Sequence, residues 1–125
     1  MLLSTQQLTT ATYIGIDAHP DSHTAVAINR FKEVKGHLLF SNTLIGISQF
    51  TKWLGKFEQE EDVIIGIEGG GNARNALVIA ILATHTNVFE VSLLYTKHKR
   101  GFGTKGDKTD LTDAKLVAGV LTTEL

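Results

Sequence analysis

Two kinds of apolar pattern alternate along this chain of 125 residues. "TYIGIDA" (Thr12–Ala18) and "VIIGIE" (Val63–Glu68) are nearly unbroken apolar runs, which predict strands covered on both faces. "HTAVAINR" (His23–Arg30) alternates small apolar and polar residues and predicts a second strand; "HLLFSNT" (His37–Thr43) predicts a third. The polar turn residues of "HPDS" and "FKEVKG" leave only short connections, so these three strands predict an antiparallel meander. From Ile47 onward, Phe50, Trp53, Leu54 and Phe57 recur every three or four positions. That is a core-facing stripe of an amphipathic helix running to Gln59, with Trp53 and Phe57 in the core.

After "GGGN", Ala73–Thr84 reads as a second helix, "FEVSLLY" (Phe89–Tyr95) as a fifth strand and Asp110–Thr122 as a last helix. The apolar face of that last helix is Leu111, Ala114, Leu116, Val117, Val120 and Leu121. Thr96–Thr109 lacks periodicity and reads as a basic, glycine-bearing loop. The order is three strands, helix, strand, helix, strand, helix. It predicts an α/β fold: a five-stranded mixed sheet, three antiparallel strands then two parallel ones, flanked by helices. The first and fourth strands then lie side by side. The length suits one domain over 1–125, with residues 1–11 a flexible lead. The chain stops within a turn or so of its last helix, which predicts a further segment beyond it.

Composition narrows the chemistry. Without cysteine there are no disulfides, thiolate zinc sites or cysteine nucleophiles. No apolar run is long enough to span a bilayer and the N-terminus does not resemble a signal peptide, so a cytoplasmic protein with no membrane partner is expected. The net charge of −1 gives no overall pull toward nucleic acid, so such binding has to come from a local patch. One patch is present. Lys97, Lys99, Arg100, Lys105 and Lys108 are five of twelve basic residues, and Phe102 between Gly101 and Gly103 could stack on a base.

The acids are the more telling feature. Asp17 closes the apolar run "YIGI" and Glu68 closes "IIGI". A carboxylate ending a buried strand is costly unless it is paired or binds metal. Neighbouring first and fourth strands would bring the two together. Asp110 and Asp113, three residues apart, share one face of the last helix. Four acids converging on one sheet edge repel each other, and hard oxygen donors suit magnesium (Mg2+) or manganese (Mn2+). Each acid alone has a plainer explanation. Asp17 could form a turn, Glu68 could cap the following helix, and Asp-x-x-Asp at a helix start commonly satisfies free amides. The case rests on all four occurring at matching places.

Other motifs say less. "DAHPDSH" reads as a turn with solvated His19 and His23, although His19 is close enough to assist a metal site. "GIEGGGNAR" fails the dinucleotide-binding spacing, because Arg74 stands where the last glycine is needed.

The stretches "YIGIDAHPDSHTAVAI", "FSNTLIGISQFTKWL", "VIIGIEGGGNARNALVIAIL" and "KGDKTDLTDAKLVAGVL" resemble, in order, the N-terminal domain of DEDD-type transposases of bacterial insertion sequences. Pro20 stands where members often have a basic residue, and Leu111 where many have proline. The resemblance implies a RuvC-like version of the ribonuclease H fold and a catalytic, metal-binding set of Asp17, Glu68, Asp110 and Asp113. It implies magnesium- or manganese-assisted DNA cleavage and joining, with two ions activating the attacking oxygen and stabilising the leaving one. The family carries a C-terminal serine-bearing domain, which this sequence does not contain, and some members use a guide RNA encoded by their own element. A homo-oligomer is expected of the full-length enzyme. Two alternatives stand beside this reading. One is a RuvC-like junction resolvase or nuclease; the other is a non-catalytic nucleic-acid-binding module using the basic loop alone.

Overall fold

A computed structural model of the chain describes residues 3–69, 71–85, 87–91 and 110–125. A short helix, α1 (Thr5–Thr10), opens it and is capped by Ser4, whose hydroxyl accepts from the Gln7 amide while Gln7 reaches back to the Ser4 amide. This helix falls in the stretch read from sequence as a flexible lead. Leu3 and Leu8 pack onto the core, and the Leu8 carbonyl accepts a hydrogen bond from the Tyr13 hydroxyl.

Three strands follow, β1 (Thr12–Ala18), β2 (Ser22–Ile28) and β3 (Val34–Ser41). Helix α2 (Leu44–Glu58) leads to β4 (Val63–Glu68), and a 3-10 turn (Gly71–Arg74) leads to α3 (Asn75–Leu82). Strand β5 (Val88–Glu90) and a last helix, α4 (Asp110–Glu124), complete the described elements. The sheet order is β3-β2-β1-β4-β5, antiparallel across β1–β3 and parallel for β1–β4 and β4–β5. The predicted mixed sheet is therefore present, with β1 and β4 as central neighbours. Both are buried along their whole length, as continuous apolar runs require. Residues 92–95 of the predicted fifth strand lie outside the described residues.

Alternation along the strands divides the core in two. Ile14, Ile16, Ile65 and Ile67 face α2 and α3 with Phe40, Phe50, Leu54, Leu77 and Ile81. Trp53 and Phe57 are half-buried and pack against this cluster. On the other side, Tyr13, Val26, Ile28 and Ile64 meet Ala114, Val117, Ala118, Val120 and Leu121 of α4. The predicted apolar face of α4 needs correction at two positions, and one is Leu116, which is only half-buried and belongs to neither core cluster. Leu111 is 44% exposed, because it lies in the first turn of α4, ahead of the residues that reach the sheet. Ala118 is fully buried in its stead.

Helix α4 lies unusually close to the sheet. A methyl group built on Gly15 would come within 2.2 Å of the Ala114 carbonyl oxygen and 2.3 Å of the Ala118 nitrogen. Only glycine on β1 admits a helix backbone at that distance. No helix among the described residues is long and apolar enough to cross a membrane.

Candidate metal centre

Parallel pairing of β1 with β4 sets the site. The register runs from Thr12 opposite Val63 to Asp17 opposite Glu68, so the two acids are direct neighbours at the ends of two central strands. They are 5% and 4% exposed, respectively. Asp17 is also opposite Thr24 of β2, which is equally buried, so a polar row of Thr24, Asp17 and Glu68 crosses three neighbouring strands. Counting by twos from Tyr13 and Gly15, and from Ile64 and Gly66, puts both acids on the α4 side.

Local chemistry explains why the strands stop there. His19 and Pro20 end β1, and the His19 amide donates to the Ser22 carbonyl across the hairpin. After Glu68 the chain turns away at Gly69, whose φ of +154° strains any residue with a side chain and whose Cβ position is 2.8 Å from the Ala18 methyl. His19 Nε2 lies 2.9 Å from Asp17 Oδ2, with the imidazole half in solvent. The sequence allowed His19 to assist the acids, and the structure places it directly on one of them.

His23 differs from expectation. It is fully buried on the α2 side of β2, against the Phe40 ring, and not solvated in a turn. It starts the inward-facing alternation of its strand, a signal masked by the polar neighbours in "HPDSH". Its Nε2 lies 2.9 Å from Asn42 Oδ1, while the Asn42 amide groups donate to the carbonyls of Pro20 and Asp21. Burial lowers the His23 pKa below the usual imidazole value, partly opposed by the Asn42 bond. Its Nδ1 is buried with no hydrogen-bond partner, consistent with a neutral ring.

The helix acids stand at the start of α4, where Asp110 is the first residue. Gly119 faces Lys32 in the β2–β3 turn, beside the beginning of β1, and Ala114 meets Gly15 farther along. Thr112 of the first turn of α4 lines a cleft with Lys32. Asp113 is half-buried, with one carboxylate oxygen withdrawn from solvent. The Asp110 side chain lies outside what is described, and among the described residues no three His, Asp or Glu side chains group closely enough to hold a metal. The predicted basic loop, with Lys97, Lys99, Arg100, Phe102, Lys105 and Lys108, also lies outside the described residues. The donors that can be placed are hard carboxylate oxygens, the kind magnesium or manganese takes.

The family model of the IS110-type DEDD transposases, described as Transposase, matches residues 14–124. A comparison with curated proteins finds no match. The sheet is the α/β, ribonuclease H-like arrangement of that family, with three antiparallel and two parallel strands. Because the match runs from β1 through α4, the chain belongs to the DEDD transposases of the IS110 type, as their N-terminal domain.

Proposed function

We propose that this transposase domain performs metal-dependent DNA strand cleavage and transfer, with Asp17, Glu68, Asp110 and Asp113 holding one or two magnesium or manganese ions. The observation behind it is the register of β1 and β4, which sets Asp17 beside Glu68 in a buried row. Two neighbouring carboxylates kept from water are costly to a fold, and a site of chemistry is where such a cost is retained. Bound there, divalent ions would activate the attacking oxygen and stabilise the leaving one.

The chain's own residues supply the frame. Strands β1 and β4 fix two donors on rigid backbone. His19 orients the Asp17 carboxylate, and α4, seated on Gly15, carries the other two proposed ligands in its first turn. The basic residues Lys97, Lys99, Arg100, Lys105 and Lys108, with Phe102, precede that turn in sequence and are the proposed grip on DNA phosphates. A guide RNA encoded by the element is a further partner for the same loop, and assembly into a homo-oligomer belongs to the complete enzyme.

Manganese binding followed by electron paramagnetic resonance tests this reading on the 125-residue chain. Manganese should bind the wild-type chain and not Asp17→Asn, while the metal-free variant melts at the same or a higher temperature. A folded wild-type chain that takes up no ion at millimolar manganese would defeat the proposal. A loss of about 3 kcal/mol in metal-free Asp17→Asn would make Asp17 a structural residue instead.

A further inference from the structure

The turn between β2 and β3 has no part in the site described above, yet it is built with unusual care. Asn29 Oδ1 accepts from the amides of Phe31 (2.9 Å) and Glu33 (3.0 Å), and the Asn29 amide donates to the Glu33 carbonyl at 3.0 Å. The Lys32 amide returns to the Asn29 carbonyl at 3.0 Å, and Asn29 Nδ2 donates to Glu33 Oε1 at 2.8 Å, which occupies the turn's only acid. Arg30 Nη1 donates to the Tyr13 hydroxyl at 3.0 Å and anchors the turn to β1.

This fixed frame displays side chains that belong to neither core cluster. Phe31 is 77% exposed at the tip. Lys32 has a φ of +66°, a left-handed conformation in which glycine is at ease and lysine is strained. A cavity of about 250 Å³ opens between Lys32 and α4, lined by Thr112, Lys115, Leu116 and Gly119. That is below the ~300 Å³ at which pockets for drug-sized ligands begin, and is better suited to one sugar-phosphate unit than to a whole cofactor. Lys32 and Lys115 bring two positive charges to the rim of a mostly apolar cleft, which favours an anion at that rim, and a bare phenylalanine one residue away favours a flat unpaired ring.

We propose that this turn and cleft form a second DNA contact: Phe31 stacks on an unpaired base while Lys32 and Lys115 hold phosphates of the same strand. The choice of DNA rests on the transposase reading; the cleft shares only Thr112, between Asp110 and Asp113, with the helix turn of the proposed metal centre. Tyr13, beside this turn, and Asp17 lie four positions apart on β1, about 13 Å along the strand. A single DNA strand lying along α4 could reach from the cleft to the acids.

The test is fluorescence anisotropy of the 125-residue chain with a labelled single-stranded DNA oligonucleotide over a range of salt, with matched RNA and duplex DNA as further arms. Lys32→Gly removes the charge and relieves the backbone. It should melt at the same or a higher temperature yet bind more weakly, with the salt slope reduced by about 0.7; a merely structural lysine would not separate the two readouts. Lys115→Gln should lower the slope by about the same amount. Phe31→Ser should weaken single-stranded binding about tenfold and leave the slope unchanged. The inference is overturned if all three variants bind as the wild type does, if RNA is bound and DNA is not, or if duplex DNA binds as well as single strands. Neutralising Lys97, Lys99 and Arg100 separates the two readings. A loss of binding there, with the turn variants silent, rejects this contact and leaves the proposed function standing. Manganese uptake is expected to be the same in every one of these variants.

Discussion

The two faces of the sheet are packed on opposite principles. On the α2 side the space is filled by bulk: Phe40 stacks on Phe50 at 4.9 Å, Phe50 meets Trp53 at 5.9 Å and Trp53 meets Phe57 edge-on at 5.0 Å. On the α4 side the space is removed: Gly15 on β1 and Ala114 and Ala118 on the helix leave almost nothing between backbone and backbone. Aromatic burial supplies stability but keeps a helix at a distance. Small residues bury less and bring the helix close. The face that carries Asp17 and Glu68 is the one that gives up bulk for proximity, so the domain places its stability and its candidate chemistry on different sides of one sheet.

The strongest way to break that division is Phe50→Ala. Phe50 is fully buried at the centre of the aromatic row, and its removal should cost about 3–5 kcal/mol in denaturant unfolding. Manganese affinity of the fraction still folded should stay at the wild-type value. A parallel loss of affinity would mean that the α2 face also sets the acids.

Gly15→Ala attacks the other face. The new methyl group would meet helix backbone, which cannot rotate away, so a loss of about 3 kcal/mol is expected. Here manganese binding should fall too, by about tenfold, because α4 has to move off β1. Gly66→Ala sharpens the point. Its methyl would meet only the tips of Leu121 and Val91 at 3.0 Å, and these can turn, so about 1 kcal/mol is expected with little effect on the ion. Equal losses at the two glycines would refute the close helix seat at Gly15.

The smallest effect is the pH response of the α2 face. The buried, neutral His23 has a folded-state pKa below that of the unfolded chain. Its contribution is fully present above the unfolded value of about 6.5 and is lost as pH falls from there toward the lowered folded value. Wild-type melting temperature should therefore drop on acidification through this window. His23→Gln, which keeps a donor for Asn42 and cannot titrate, should drop less. Identical acid slopes in the two proteins would show that His23 does not govern this response.

Much of this arrangement was legible in the residues, for identifiable reasons. The strands β1 and β4 are short apolar runs bounded by turn residues, and their predicted limits coincide with the observed ones. Their adjacency followed from strand order and handedness alone, and with it the meeting of Asp17 and Glu68. Element edges were less clear. Helix α2 begins at Leu44, before the stripe starting at Ile47, because its start is set by the Thr43 cap while Leu44 and Ile45 remain exposed. Strand β3 begins at Val34, where an edge strand shows little apolar alternation. The 3-10 turn before α3 gave no periodic sign. At the site, the bond from His19 and the placing of Thr24 beside Asp17 depend on hairpin register, which spacing along the chain does not encode.

The β1–β4 register also has a consequence in time. Asp17 and Glu68 are about fifty residues apart in sequence but adjacent in the sheet, and α4 is encoded later still. A ribosome adding roughly 5–20 residues per second delivers the pieces of the carboxylate row seconds apart. Until β4 emerges, β1 has an open edge and Asp17 has no acidic neighbour. The nascent chain is thus without the paired carboxylates until translation has carried it past β4.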